Sequence, residues 1–147
     1  MDTILFLSVI AILIWTVYIY NRLVSARNTV LAAWSDIDVQ LKRRHDLIPK
    51  LVEAVKQYAS YETATLSAVT ALRTESGKLQ EIDLREAAEI ELGRKIHQLI
   101  ALAEDYPDLK ASRSFLDLQH NLTEVEKNIQ YARRYYNGAV RNLNVRI

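Results

Sequence analysis

With no cysteine in the chain, a metal ion would have to be held by carboxylates and by the three histidines, His45, His97 and His120. Helical metal sites do this with acid-x-x-His pairs repeated on two helices. Asp117 and His120 have that spacing, but His97 is preceded at the same offset by Arg94 and His45 by Lys42, so no second pair exists. The lone pair reads as surface residues. Nucleophilic catalysis finds no better material, because no serine stands in a Gly-x-Ser-x-Gly or Ser-x-x-Lys setting. The three glycines, at 77, 93 and 138, are isolated and build no phosphate loop. No catalytic, cofactor-binding or metal-binding residue is therefore assigned, no cofactor is expected, and the chain does not read as an enzyme.

The densest collection of reactive types is "WSDIDVQLKRRHDLIPKLVEAV", residues 34–55, with four acids, four bases, a histidine and a proline among spaced apolar residues. Its simplest reading is an architectural helical hairpin. Trp34, Ile37 and Leu41 seal the end of one helix, Asp46 caps the next, and Pro49 sits in that helix's first turn, where a missing N–H costs nothing. His45 and Asp46 are then turn residues, and Lys42, Arg43 and Arg44 form a solvated face. The rival reading lets one helix of about seventy residues run through Pro49.

Few glycines and prolines interrupt the chain and alternation of the strand type is nowhere sustained, so the fold class is all-α. Breaks at 45–46, at Gly77 and at "DYPD" (105–108) predict helices over about 21–44, 47–76, 84–104 and 109–147. The last carries a heptad seam of Phe115, Leu118, Leu122, Val125, Ile129, Ala132, Tyr136, Ala139 and Leu143. The other three have shorter stripes of the same rhythm, and four such stripes are buried most simply in an antiparallel four-helix bundle.

Ahead of these lies "ILFLSVIAILIWTVYIY", residues 4–20, without a charge. As a helix it spans roughly 25 Å, with Trp15, Tyr18 and Tyr20 at the end that would meet a membrane interface. A single transmembrane helix continuing into the bundle is expected. A cleaved signal peptide would want a cationic start, whereas only Asp2 precedes the apolar run, although "VSA" at 24–26 resembles a cleavage site. Arg22 and Arg27 follow the span, so the positive-inside rule puts residues 1–3 outside the cell and the domain over 21–147 in the cytoplasm. The net charge of +1 argues against a nucleic-acid partner.

An antiparallel bundle returns its last helix toward the membrane. That helix outreaches its neighbour, and its end, "QYARRYYNGAVRNLNVRI", overhangs. Arg133, Arg134, Tyr135, Tyr136 and Arg141 are candidates to touch lipid headgroups or a neighbouring copy, with an ordinary bundle seam and solvated arginines, Arg146 included, as the alternative.

"YNRLVSARNTVLAAWSDIDVQLKRRHDLIPKLVEAVKQYASYE", residues 20–62, closely resembles the signature of the LemA family, and "RRYYNGAVRNLNVRI" resembles that family's second signature. The resemblance implies a bacterial inner-membrane anchor with a short outside tail, a cytoplasmic helical bundle and no catalytic residues to carry over. It associates the chain with relatives needed for magnetosome membranes and with neighbours of TPM-domain proteins or membrane proteases. It also implies a proline- and phenylalanine-containing apolar tail after the second signature, either lacking in this member or lying beyond Ile147. The functional expectation is a non-enzymatic scaffold that binds membrane lipid, forms a homo-oligomer and organises membrane. The alternative is an adaptor that presents its bundle to a membrane protease or TPM-domain partner.

Overall fold

The computed structural model describes residues 2–79 and 81–145, so Arg146 lies outside the described residues. It is all-helical, with α1 over Asp2–Tyr58, α2 over Thr63–Ser76, α3 over Ile82–Leu102, a short 3-10 turn over Ala103–Asp105, α4 over Pro107–Ala111 and α5 over Arg113–Asn144. No strand occurs among the described residues. The breaks at Gly77 and at the Tyr106–Pro107 step fall where the sequence placed them. A further break at Ser112, where the backbone turns extended between α4 and α5, was not foreseen.

The expected hairpin at 45–46 is overturned. Helix α1 continues through His45 and Asp46, with Pro49 inside it, and the chain reverses only at residues 59–62. Asp46 is an exposed mid-helix residue rather than a cap, and the helices expected over 21–44 and 47–76 become one long helix and a short one. The physical reason is that the apolar rhythm never breaks: Ile37, Leu41, Ile48, Leu51 and Val55 are all buried, with the buried Arg44 in step between them. An interior proline costs a helix about 3 kcal/mol, and the packing of that continuous stripe outweighs it.

The chain forms two compact units, one of Gln40–Lys127 and one of Met1–Val39 with Asn128–Ile147. In the first, the core is Ile48, Leu51, Val55 and Ala59 of α1 and the turn after it, Leu66 and Val69 of α2, Leu92, Ile96 and Leu99 of α3, Ala103, Leu109, and Phe115 and Leu122 of α5. Each of these side chains is worth about 1.5–3 kcal/mol when fully buried, less for alanine. In the second unit Ala26, Ala33 and Ile37 of α1 and Ile129 and Ala139 of α5 are buried, and the Trp34 ring lies against Tyr136, centroids 5.5 Å apart and planes tilted by 59°. Residues 4–20 of α1 are exposed throughout, and this helix is long and apolar enough to cross a membrane.

Candidate functional site

One cluster of ionisable groups lies inside the unit of Gln40–Lys127, and every long helical segment of that unit contributes to it. It begins with a consequence of Pro49. A proline has no N–H, so the carbonyl four residues back, that of His45, loses its helical partner. Arg73 of α2 supplies the replacement, its Nε donating to that oxygen at 2.8 Å.

One residue earlier, Arg44 is buried, with its side chain only 3% exposed. Its Nη2 donates to the carboxylate of Glu89 and, at 3.0 Å, to the Glu89 backbone carbonyl; its Nη1 donates to Glu126 Oε1 at 2.7 Å. Glu89 is on α3 and fully buried, and Glu126, on α5, is partly exposed. Gly93 leaves room for the guanidinium, since a Cβ there would stand 3.3 Å from Arg44 Nη1. The second oxygen of Glu89 receives His45 Nε2 at 2.7 Å, and Ser76 Oγ of α2 lies 3.1 Å from the same nitrogen.

The trio of Ser76, His45 and Glu89 has the composition of a hydrolytic triad but not its geometry. A triad requires the histidine to use one ring nitrogen for the carboxylate and the other for the serine. Here both partners sit on Nε2. That nitrogen carries the proton it gives Glu89 and has no lone pair with which to take one from Ser76. Ser76 is also fully buried, and its hydroxyl can donate to the Arg73 carbonyl at 3.3 Å. The cluster is suited to joining four helices at one level, not to attacking a substrate.

Electrostatics make the cluster pH-sensitive. Burial alone would raise the Glu89 pKa, but the hydrogen bond from His45 and the charge and hydrogen bonds of Arg44 outweigh it and hold the carboxyl at about 2, below its ordinary 4.5. A depressed folded-state pKa means the ionised group stabilises the fold fully above the unfolded value, and that stabilisation is lost as pH falls toward the folded one. Unfolding free energy is therefore expected to decline between pH 4.5 and about 2, and Glu89→Gln to flatten that decline. Urea unfolding of the detergent-solubilised protein across this range measures it; identical slopes in the two proteins would show that Glu89 is not the group responsible.

None of the residues of this cluster was assigned to a site by the sequence. Arg44 was grouped with Lys42 and Arg43 as a solvated face, which holds for those two neighbours and fails for Arg44. The signal was nevertheless present. Arg44 stands three residues after Leu41 and four before Ile48, and Glu89 three before Leu92, so each puts a charge on an otherwise apolar stripe.

The residues expected to do work fare differently. Ile37 and Leu41 are buried and Trp34 is half-buried, but they pack along a continuing helix, and Pro49 is exposed on it. On α5, Arg134, Tyr135 and Arg141 are exposed, Arg133 and Tyr136 half-buried, and Tyr136 is committed to Trp34. Arg134 lies over the ring of Tyr131, 4.6 Å from its centroid. Asp117 and His120 are both exposed, and no group of three possible metal ligands gathers among the described residues.

The charges are segregated between the units. The unit of Gln40–Lys127 has 15 acids against 13 bases; the other has six arginines against Asp2, Asp36 and Asp38. No acid occurs between Thr3 and Ser35 or after Glu126. A chain of net charge +1 therefore divides into a unit of net charge +3, which includes the apolar span, and a unit of net charge −2.

Residues 33–147 match the model of the LemA family. Among curated proteins the chain is 30% identical to Protein LemA of Metamycoplasma hominis, over 86% of this chain and 58% of that one. It is 26% identical to Magnetosome protein MamQ 1 and to Magnetosome protein MamQ 2 of Paramagnetospirillum magneticum, over 96% of this chain and 61% of each. The chain thus spans about three-fifths of the length of these relatives. With all but its first 32 residues matched by the family model, this chain belongs to the LemA family.

Proposed function

We propose that this chain is a non-catalytic, membrane-anchored scaffold that self-associates and organises or shapes membrane. In this reading residues 4–20 cross the inner membrane with the N-terminus outside, and the helices beyond form an antiparallel four-helix arrangement in the cytoplasm, with α5 returning toward the bilayer. The observation that carries it is on α5: Tyr131, Arg134, Tyr135 and Arg141 present an exposed aromatic and basic surface in the same compact unit as the apolar span. Tyr and Arg suit wet contacts with headgroups and with other proteins, and many weak contacts gain sharply when copies assemble. The magnetosome naming of two relatives points the same way.

The expected result is a discrete homo-oligomer when the protein is extracted in a lipid-retaining detergent and weighed by native mass spectrometry, with Tyr135→Ala and Arg134→Ala shifting it toward smaller species. A protein that stays monomeric at high concentration in lipid sinks the scaffold. One feature favours the adaptor as a second reading. An open groove of about 830 Å³ beside α2, lined by Val52, Lys56, Leu66, Ser67, Thr70 and Thr74 among others, offers a partner helix a place to dock. Recovery of one stoichiometric membrane protease or TPM-domain protein by cross-linking in cells would put the adaptor in the scaffold's place.

A further inference from the structure

A second cleft lies in the unit that contains the apolar span. Its walls are Trp15, Tyr18, Ile19, Arg22 and Leu23 of α1 and Asn142 and Val145 at the end of α5, and it encloses about 430 Å³, within the range of ligand sites. Its composition is graded along α1. The lower residues, Trp15 to Ile19, belong to the charge-free run, while Arg22 lies beyond the end of it. At 1.5 Å per residue the wall from Trp15 to Leu23 covers roughly 12 Å, about the depth over which a bilayer passes from acyl chain through glycerol to phosphate. The Arg22 guanidinium and the Asn142 carboxamide line the same cleft as this aromatic and aliphatic wall.

We infer that this cleft binds the phosphodiester headgroup of an anionic phospholipid, with Arg22 and Asn142 donating to the phosphate oxygens and Trp15, Ile19 and Leu23 flanking the glycerol and upper acyl chain. The inference rests on the membrane-anchored reading given above but not on self-association. Three features select this ligand. Arginine recognises phosphate with two parallel donors. No Asp or Glu side chain occurs in Thr3–Ser35 or after Glu126 to compete for Arg22 or repel an anion, and Arg27 and Arg141 lie within one to two helical turns of the cleft residues. A free phosphate would satisfy Arg22 and leave the apolar wall unused, whereas a lipid uses both. An anionic headgroup adds to this the attraction that each arginine has for an anionic leaflet.

The test is native mass spectrometry of the full chain released from bilayers of equal phosphatidylglycerol and phosphatidylcholine. Bound phosphatidylglycerol is expected to exceed phosphatidylcholine, and Arg22→Gln to lower its retention about fivefold, the equivalent of one headgroup contact of roughly 1 kcal/mol. Asn142→Leu should weaken it in the same sense. Arg22 and Asn142 are exposed, so neither change is expected to disturb folding. Arg43→Gln removes the same charge from an exposed position outside both the cleft and the α5 surface, and should leave the adduct in place.

Equal retention of the two lipids, or an equal loss in Arg43→Gln, would overturn the cleft in favour of diffuse attraction. Displacement of the lipid by millimolar inorganic phosphate would assign the site to free phosphate. The same spectra report particle mass, so a lipid-bearing monomer refutes the scaffold alone and an oligomer without lipid preference refutes the cleft alone. A chain washed off membranes by alkaline carbonate would remove the anchored reading on which the cleft depends.

Discussion

Arg44→Met is expected to lower the unfolding free energy by about 3–5 kcal/mol, because it leaves a buried carboxylate without its cation. Methionine approximates the length of the arginine stem and keeps the helix, so the loss falls mainly on electrostatics. Three acceptors lose a donor at once: the Glu89 carboxylate, the Glu89 backbone carbonyl and Glu126. Glu126, being partly exposed, can turn to water. Glu89 cannot, and its remaining partner is His45.

The companion variant separates the worth of the pair from the cost of breaking it. Arg44→Met combined with Glu89→Met removes both charges, and buried pairs replaced together by apolar residues are often neutral or stabilising. The double variant should recover most of the lost stability in chemical unfolding of the detergent-solubilised protein. If Arg44→Met alone costs less than about 1 kcal/mol, the cluster is not holding these helices as the geometry implies. Arg44 Nε has no partner, so the native arrangement already leaves one donor of the fork unused. That favours a role in fixing which helices meet at which level over a role in maximising stability.

Pro49→Ala is expected to raise stability, by about 1–3 kcal/mol. Alanine restores the N–H that proline lacks and removes the ring from the path of the His45 carbonyl. Pro49 is exposed, so no core contact is lost. The gain falls short of the full helix-propensity difference because Arg73 already satisfies that carbonyl. The two residues should therefore be coupled. Arg73→Ala leaves the His45 oxygen without a donor when Pro49 is present, at about 1–3 kcal/mol, but should cost less in the Pro49→Ala background, where the restored N–H serves that oxygen. Additive losses would show that Arg73 does not act through the His45 carbonyl. A destabilised Pro49→Ala would mean that the proline's restricted backbone is itself required.

Much was determined by the sequence alone. The helical class, the charge-free span and the seam of α5 follow from the period of apolar residues, which is local and needs no partner to be read. Phe115, Leu122, Val125, Ile129 and Ala139 are buried as that period requires. The break at Pro107 is likewise local, since it depends on what one residue's backbone can do; Gly77 marks the end of α2 but does so in ordinary helical backbone, with φ of −68°.

Tertiary structure decided the rest. Asp46 and Pro49 carry the local signal of a helix start, and Pro49 also disfavours the helical backbone of Ile48 before it. Whether the helix ends there depends on a donor for the His45 carbonyl, and that donor arrives from Arg73, on another helix. Arg44 carries the same charge as its exposed neighbours Lys42 and Arg43. Its partners are Glu89, 45 residues away, and Glu126, 82 residues away. Charges on an apolar stripe mark such positions in advance, but which charge pairs with which is a matter of how helices dock, and spacing along one helix contains no information about the face of another.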